Sequence, residues 1–438
     1  MVLSNLDQKT SPADVRPPGR PRILIVRAGA IGDTLMATPL VRAVRKTFPE
    51  CHLVFVCSAM ALDVIRYNPH IDQTIAIAYR HLPAWLSREK SRIRSVLQKL
   101  DLDWALVLES HASFIELVKK AGARRILAYS GEDQAEGFEP VRFDPRKHSI
   151  ENHLELARPL RLRQQGLHME LNNQPETIKT VTGRLEKAGI ASGDCLVGIH
   201  AGWGGRTRAP DQTRLRSWPP DRFAEVVRWL VKERRAKVVL TGSATDRPLT
   251  RYIARTAGVP CLDFAGELSL LELAALIGCM NVYLTVDSGP AHMAAALGTS
   301  LVTLWGPGIF EQTAPVSPGN PPHILYHHVH CAPCYGTVAM RTCKDNICMK
   351  VIEIEEVKHT LGEYVGAQHV RWGTGLFRID PGFVHQHYRD VILDGVDALA
   401  LAALQPLAIR RKLDGCLTDR ADQNIQQFLA YSHVMTPI

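Results

Sequence analysis

Two stretches of this 438-residue chain carry residue types that could do chemistry together. In the first, the apolar run Ile23 to Val26 ends in Arg27-Ala28-Gly29-Ala30-Ile31-Gly32-Asp33-Thr34. A helix dipole stabilises a carboxylate in the helix's opening turn, so Asp33 is expected to be ionised and able to accept a proton. A plain helix cap is the other reading of the same residue. In the second stretch, Val282 to Val286 runs into Asp287-Ser288-Gly289-Pro290-Ala291-His292. There Ser288 can cap a helix, and Pro290 suits a first turn, where no N–H is needed. The amides of such a helix start attract an anion, above all a phosphate. With Asp287 beside them and His292 one turn on, the stretch suits a group that carries both phosphate and hydroxyls. A bare strand-helix crossover with a capping aspartate is the alternative.

Other candidates surround these two. The loop after Cys195 to His200 carries Arg206, Arg208, Arg214 and Arg216, whose planar guanidinium groups fit bidentate phosphate contacts. Thr241 closes a strand, and the turn that follows it, Gly242 to Asp246, could reach a bound nucleotide. Asp101-Leu102-Asp103 has the D-x-D spelling of a metal site, yet it precedes a strand, at the wrong edge of a parallel sheet, and reads as a solvated turn. The turn from Arg27 to Thr34 is not a dinucleotide fingerprint. Arg27 stands in place of the first glycine of G-x-G-x-x-G, and no acidic residue follows the next strand. Cys331-x2-Cys334 and Cys343-x4-Cys348 have spacing compatible with a structural zinc, set against unligated or reversibly oxidised thiols.

The elements that must position these residues alternate. Leu53 to Cys57, Ile75 to Tyr79 and Trp104 to Leu108 read as buried strands, with helices marked by Leu40, Val41, Val44 and Phe48 and by Ile93, Val96, Leu97 and Leu100. Ser130 to Gln174 is polar and irregular, with a helical piece near Glu151 to Leu160. The pattern then resumes with strands at Cys195 to His200 and Lys237 to Thr241, a helix facing inward through Phe223, Val226, Val227 and Leu230, a short helix from Ala291 to Leu297, and a strand from Leu301 to Trp305. This predicts an α/β protein in which the second half repeats the architecture of the first. The expected division is a disordered lead-in (1–20), two Rossmann-like domains (21–175 and 176–365) and an extension (366–438) with no functional account. Its apolar piece, Val391 to Ile409, is interrupted by Asp394, Asp397 and Pro406, which favours a packed or interfacial helix over a membrane span.

Composition excludes several classes. Lys and Arg exceed Asp and Glu by 52 to 44, a formal +8, but the excess is spread along the chain. No block of like charge forms a nucleic-acid arm, and an anionic ligand or an acidic membrane surface is the fitting partner. Met1 to Arg20 lacks the apolar core of a signal peptide, so a cytoplasmic protein with mostly reduced cysteines is expected.

The blocks ILIVRAGAIGDTLMATPLVRAVRKTFP, HAG (His200 to Gly202), RSWPPDRFAEVV, VVLTGSATD and FAGELSLLELAALI followed by VDSGPAHMAAALGTSLVTLWGP run in one order from Ile23 to Pro307. In these the chain resembles glycosyltransferase family nine, the heptosyltransferases of lipopolysaccharide core assembly. The resemblance implies a GT-B fold, two doubly wound domains facing a cleft, the first holding the acceptor and the second a nucleotide-sugar donor such as ADP-heptose. It implies Asp33 as catalytic base, with Arg27, Gly29, Gly32 and Thr34 on the acceptor-side turn. Arg216, Thr241, Asp246, Asp287, Ser288, Gly289 and His292 would face the donor. It further implies inversion at the anomeric carbon without an obligatory metal, a lipid-linked glycan acceptor, and peripheral contact with the inner face of the inner membrane. Ile352 to Tyr364 resembles the family's closing helix. The loop from Ala201 to Leu215 is longer than the family pattern. A non-catalytic binding or assembly protein, or a nucleotide-sugar epimerase, would share the same fold.

Overall fold

The structure is a computed structural model that describes residues 20–78, 87–130, 136–163, 165–202, 215–319 and 321–365. Arg206, Arg208 and Arg214, the lead-in and the extension after 365 lie outside the described residues. The first half runs β1 (Arg22–Arg27), α1 (Ile31–Leu35), α2 (Thr38–Thr47), β2 (His52–Ser58), α3 (Leu62–Ile65), β3 (Gln73–Ile77), α4 (Arg88–Gln98), β4 (Trp104–Val107), α5 (Ala112–Ala121), β5 (Arg125–Tyr129), β6 (Glu139–Val141) and α6 (Ser149–Leu156). The second runs α7 (Pro175–Lys187), β7 (Leu196–His200), α8 (Pro220–Lys232), β8 (Lys237–Leu240), α9 (Arg247–Ala257), β9 (Leu262–Asp263), α10 (Leu270–Gly278), β10 (Val282–Val286), α11 (Gly289–Ala296) and β11 (Leu301–Trp305). It ends with α12 (Phe310–Thr313), β12 (His323–Tyr326), α13 (Val338–Thr342), α14 (Ile347–Lys350) and α15 (Ile354–Gly362).

Each half folds around one parallel six-stranded sheet, in the orders β3-β2-β1-β4-β5-β6 and β12-β11-β10-β7-β8-β9. The central strands are apolar on both faces because helices cover both. In β1, Ile23, Leu24, Ile25 and Val26 are all fully buried, and so is every residue of β10 and β11. On one face of the first sheet lie Leu40, Val41 and Val44 of α2, and on the other Ile93 and Leu97 of α4 with Phe114 and Val118 of α5. In the second sheet α8, α9 and α15 cover one face. The other face carries α7, α10 and α11, and its apolar cluster continues into Leu35, Met36, Ala61, Val64 and Ile150 of the first half. The two halves are therefore joined by buried apolar surface that flanks α1 and α11.

The strand orders fix where a site can sit. In the first sheet the chain proceeds from β1 outward through β2 and β3, then returns to the other side of β1 with β4. In the second it leaves β7 for β8 and β9, then returns beside β7 with β10. The loops after β1 and β4, and those after β7 and β10, diverge at these two switch points and open a crevice at the carboxyl ends of the strands. Arg27 to Asp33 and Asp287 to His292 lie at those two places. The D-x-D segment lies at the opposite edge, as expected, but only partly in water. Asp103 is 7% exposed, accepts the Arg22 N–H at 2.9 Å and pairs with Arg124, so it ties strand starts together.

Candidate active site

At the first switch point Arg27 leaves the end of β1 and joins it to the end of β4. Its Nη1 donates to the Leu108 carbonyl at 2.8 Å and reaches the Glu109 carboxylate at 3.5 Å, while Nη2 donates to Asp33 Oδ1 at 2.8 Å. The other Asp33 oxygen accepts the Ala30 N–H at 2.8 Å, the contact of a helix cap. Burial alone would raise the Asp33 pKa. Arg27 and the Ala30 amide outweigh that and hold it below the usual carboxylate range. Its side chain remains 34% exposed, open enough to meet a substrate. Gly29 is required here, because a Cβ at that position would lie 2.5 Å from Asp33 Cβ and 2.6 Å from Oδ2. Thr34, expected on the acceptor-side turn, is fully buried, with no partner for its hydroxyl. The phase of the single-turn helix α1 decides that burial.

At the second switch point Asp287 and Arg216 form a buried ion pair, Nη1 to Oδ2 at 2.9 Å with both side chains 9% exposed. The same Nη1 donates to the Asp287 carbonyl at 3.3 Å, and the guanidinium stacks over the Tyr335 ring at 4.3 Å. Burial pushes the Asp287 pKa up, opposed by Arg216. Gly308 completes the pocket, since a Cβ there would run into Asp287 Oδ2. Ser288 is the N-cap of α11 by position only. Its hydroxyl bonds to Thr285 Oγ1 at 3.0 Å instead of capping the helix, because its extended backbone turns the side chain back toward β10. The α11 amides therefore have no side-chain cap, and the first amides of a helix lack intrahelical partners.

The structure brings these two places together. Ile31 Cβ lies 3.2 Å from where a Gly289 Cβ would stand, and the His292 ring lies against Gly32. Asp33 and Arg216 are both close enough to His292 to act on its charge. Two other candidates are committed elsewhere. Thr241 is buried, bonded to Tyr283 Oη at 2.8 Å and to His200 Nδ1 at 3.1 Å, so its hydroxyl belongs to the sheet interior and not to the cleft. Asp246 accepts the Ser243 N–H at 2.8 Å and hydroxyl at 2.6 Å, and its carboxyl lies against Gly202, tying the turns after β7 and β8 together.

Sequence reasoning missed Glu109 and His148. Glu109 follows β4, which becomes the neighbour of β1 only through the fold. His148 caps α6 through Nδ1, which accepts the Ile150 N–H at 3.2 Å, and its Nε2 meets the Ala314 carbonyl of the second half at 3.0 Å. A cavity of about 900 Å3, lined by Ser110, Ile115, Tyr129, Phe138, Arg142 and Phe143, opens next to Glu109 in the first half. The cysteine segment packs on the second site: the Cys334 and Tyr335 amides both donate to the Pro307 carbonyl, at 3.1 and 3.0 Å. Cys331, Cys334 and Cys343 lie near enough to Cys348 to raise its pKa, which burial pushes up to about 11. Among the described residues, though, no group of three or more His, Cys, Asp or Glu is placed to hold a metal ion, and no helix is long and apolar enough to cross a membrane.

Against known proteins, residues 209–343 match the sequence pattern of glycosyltransferase family 9 (heptosyltransferase). The lipooligosaccharide heptosyltransferase 2 of Haemophilus influenzae is 23% identical over 311 residues, 67% of this chain and 86% of that protein. The glycosyl transferase family 9 structure from Veillonella parvula superposes with a TM-score of 0.66 at 20% identity, covering 79% of this chain and 97% of that one. The ADP-heptose LPS heptosyltransferase II of Escherichia coli gives 0.61 at 21%, covering 78% and 98%. These structures share the two-sheet GT-B fold seen here.

Proposed function

We propose that this chain, similar to glycosyltransferase family 9 over residues 209–343 and to heptosyltransferases along most of their length, transfers a heptose, or a related sugar, from an ADP-sugar to a lipid-linked glycan of the lipopolysaccharide core. One observation supports the reading: the turn that carries Asp33, whose side chain is 34% exposed, packs on the start of α11 in the second half, Ile31 against Gly289 and Gly32 against His292. In the reaction Asp33 takes the proton of an acceptor hydroxyl while that oxygen bonds to the anomeric carbon. The bond from that carbon to the diphosphate breaks on the opposite face, so the configuration inverts. The electron pair leaves with the diphosphate, whose growing charge is met by the Ser288 and Gly289 amides and by Arg216, with no metal required. The acceptor occupies the first half, where the cavity beside Glu109 offers room, and the protein works at the cytoplasmic membrane face.

The test measures ADP release and transfer with ADP-heptose and a lipid-linked acceptor. Asp33→Asn keeps the shape of the turn, so donor affinity by calorimetry should hold within about twofold while turnover falls by 10² or more. Equal loss of both would remove Asp33 from the role of base. Conversion of the donor without acceptor would favour an epimerase. Donor binding with no turnover under any acceptor would leave a binding protein.

A further inference from the structure

His292 sits one turn into α11, in the motif taken to face the donor, yet its surroundings are not those of a ligand contact. The residue is 5% exposed, and its Nδ1 is sealed from water with no hydrogen-bond partner. Burial pushes its pKa down to about 4, with Asp33 opposing and His148 and Arg216 adding to the fall, so the ring is neutral. The Cδ2–Nε2 edge of the ring fills the space that a side chain on Gly32 would need. A Cβ on Gly32 would lie 2.5 Å from His292 Cδ2 and 2.9 Å from Nε2. Gly32 immediately precedes Asp33 and belongs to α1, a helix of only five residues.

A single helical turn is not stable by itself, because nucleation costs more than one or two hydrogen bonds return. The geometry of the Asp33 turn must therefore be imposed from outside. Inside its own domain, Arg27 and the Ala30 amide hold the Asp33 carboxylate. The backbone of the turn is braced from the other domain, by Ile31 on Gly289 and by His292 on Gly32. Of these two contacts the imidazole is the tighter, since a Gly32 Cβ would lie 2.5 Å from Cδ2 of the buried ring, against 3.2 Å between a Gly289 Cβ and Ile31 Cβ. We propose that His292 is a positioning residue: by packing on Gly32 when the two halves are together, it holds the Asp33 turn at the reach and angle the acceptor hydroxyl requires. The role rests on the glycosyl-transfer reading above and differs from donor binding, the role expected of its motif. It also gives a reason why position 32 must be glycine that backbone conformation alone does not supply: position 32 is not among the residues with positive φ.

The experiment compares His292→Ala, His292→Gln, His292→Asn, Gly32→Ala and the Gly32→Ala/His292→Ala double variant, with kcat from transfer assays, donor Kd from calorimetry, and thermal midpoints to confirm folding. Misplacement of a reacting group by about 1 Å can cost roughly 100-fold, so His292→Ala should lower kcat by roughly 30- to 100-fold with donor Kd within about twofold. Gln, whose amide reaches the Nε2 position, should recover more of kcat than Asn, which reaches only the partnerless Nδ1 position. Gly32→Ala should be as damaging as His292→Ala, and the double variant no worse than His292→Ala alone, because truncating the ring makes room for the new methyl group. Donor affinity falling in step with kcat/KM, or independent effects of the two substitutions, would overturn the inference while leaving the transfer reading intact. If His292→Ala does not fold, the Gln and Asn pair carries the comparison. Wild-type protein that releases no ADP with any lipid-linked acceptor would refute both.

Discussion

The buried pair of Arg216 and Asp287 allows the sharpest quantitative prediction. Asp287→Asn keeps the side chain's shape but leaves a guanidinium that is 9% exposed without its counter-charge. Removing one member of a buried pair typically costs about 3–5 kcal/mol, because the remaining charge stays desolvated. The Tyr335 ring under Arg216 cannot make up the difference, since a cation–π contact is worth about 0.5–2 kcal/mol and is already present. At roughly 2–4 °C per kcal/mol for a domain of 150–250 residues, the unfolding midpoint should fall by about 6–20 °C. Arg216→Met should cost a similar amount, whereas Arg216→Met/Asp287→Asn removes both charges and should cost well under the sum, with a coupling of about 2 kcal/mol or more. Thermal unfolding followed by circular dichroism, with urea unfolding of the same four proteins, gives the cycle. Single variants within about 1 kcal/mol of wild type, as for a surface pair, or strictly additive costs, would refute the claim that this pair is buried and coupled.

Three further outcomes follow. Arg27→Met removes the cation that outweighs burial at Asp33 and leaves the Glu109 carboxylate nearby, so, with Asp33 as the proposed base, the acid limb of kcat should move to higher pH than in wild type; an unmoved limb would show that Arg27 does not set the base. His200 has a folded pKa of about 4 against an ordinary 6.5, because burial excludes its charged form. The unfolded chain then binds the proton first, so the stability it contributes is full above about pH 6.5 and is lost as pH falls toward 4. Replacing it in His200→Asn should reduce the slope of unfolding free energy in that window by up to about 1.4 kcal/mol per pH unit, and an unchanged slope in urea titrations at pH 5 and 7 would refute the assignment. For the four cysteines, burial raises the pKa of Cys334 and Cys348, and among the described residues no group of three is placed to hold a metal ion, so elemental analysis should find no stoichiometric zinc. One chelator-removable zinc per chain, lost in Cys334→Ser, would overturn this.

Much of the fold was legible because parallel strands covered on both faces are written as unbroken apolar runs. Val282 to Val286 and Leu301 to Trp305 are strands at the bounds their composition predicts, and the Gly and Pro turns after them fall where expected. The edges were not legible. Glu139–Val141 lies within a segment that reads as irregular, and Leu262–Asp263 is too short to show any period. At the site, local motifs point to Asp33, Asp287 and Gly289, and the fold sets these at the two switch points. Residues that depend on neighbours far along the chain were not legible. Glu109 gains its place only when β4 docks beside β1, 81 residues away, and His148 only when Ala314 arrives from the other half. Side-chain direction was also beyond sequence: Thr34 in α1 and Thr241 after β8 are both fully buried.

The two halves use one local geometry for opposite chemistry, and the difference lies in who supplies the anion. In both, a parallel strand at a switch point hands the chain to a helix start whose amides attract negative charge. At α1 the chain supplies that charge itself: Asp33 bonds back to the Ala30 amide, which keeps the carboxylate ionised and fixed while one of its faces stays open. At α11 no side chain does so, because the Ser288 hydroxyl is turned to Thr285 and the Asp287 carboxylate is consumed by Arg216. Its amides are left for a ligand. A self-satisfied helix start thus packs against an unsatisfied one across a seam closed by Ile31, Gly32, Gly289 and His292. The proposed transfer uses that polarity, with Asp33 as its base and the α11 amides as its anion cradle.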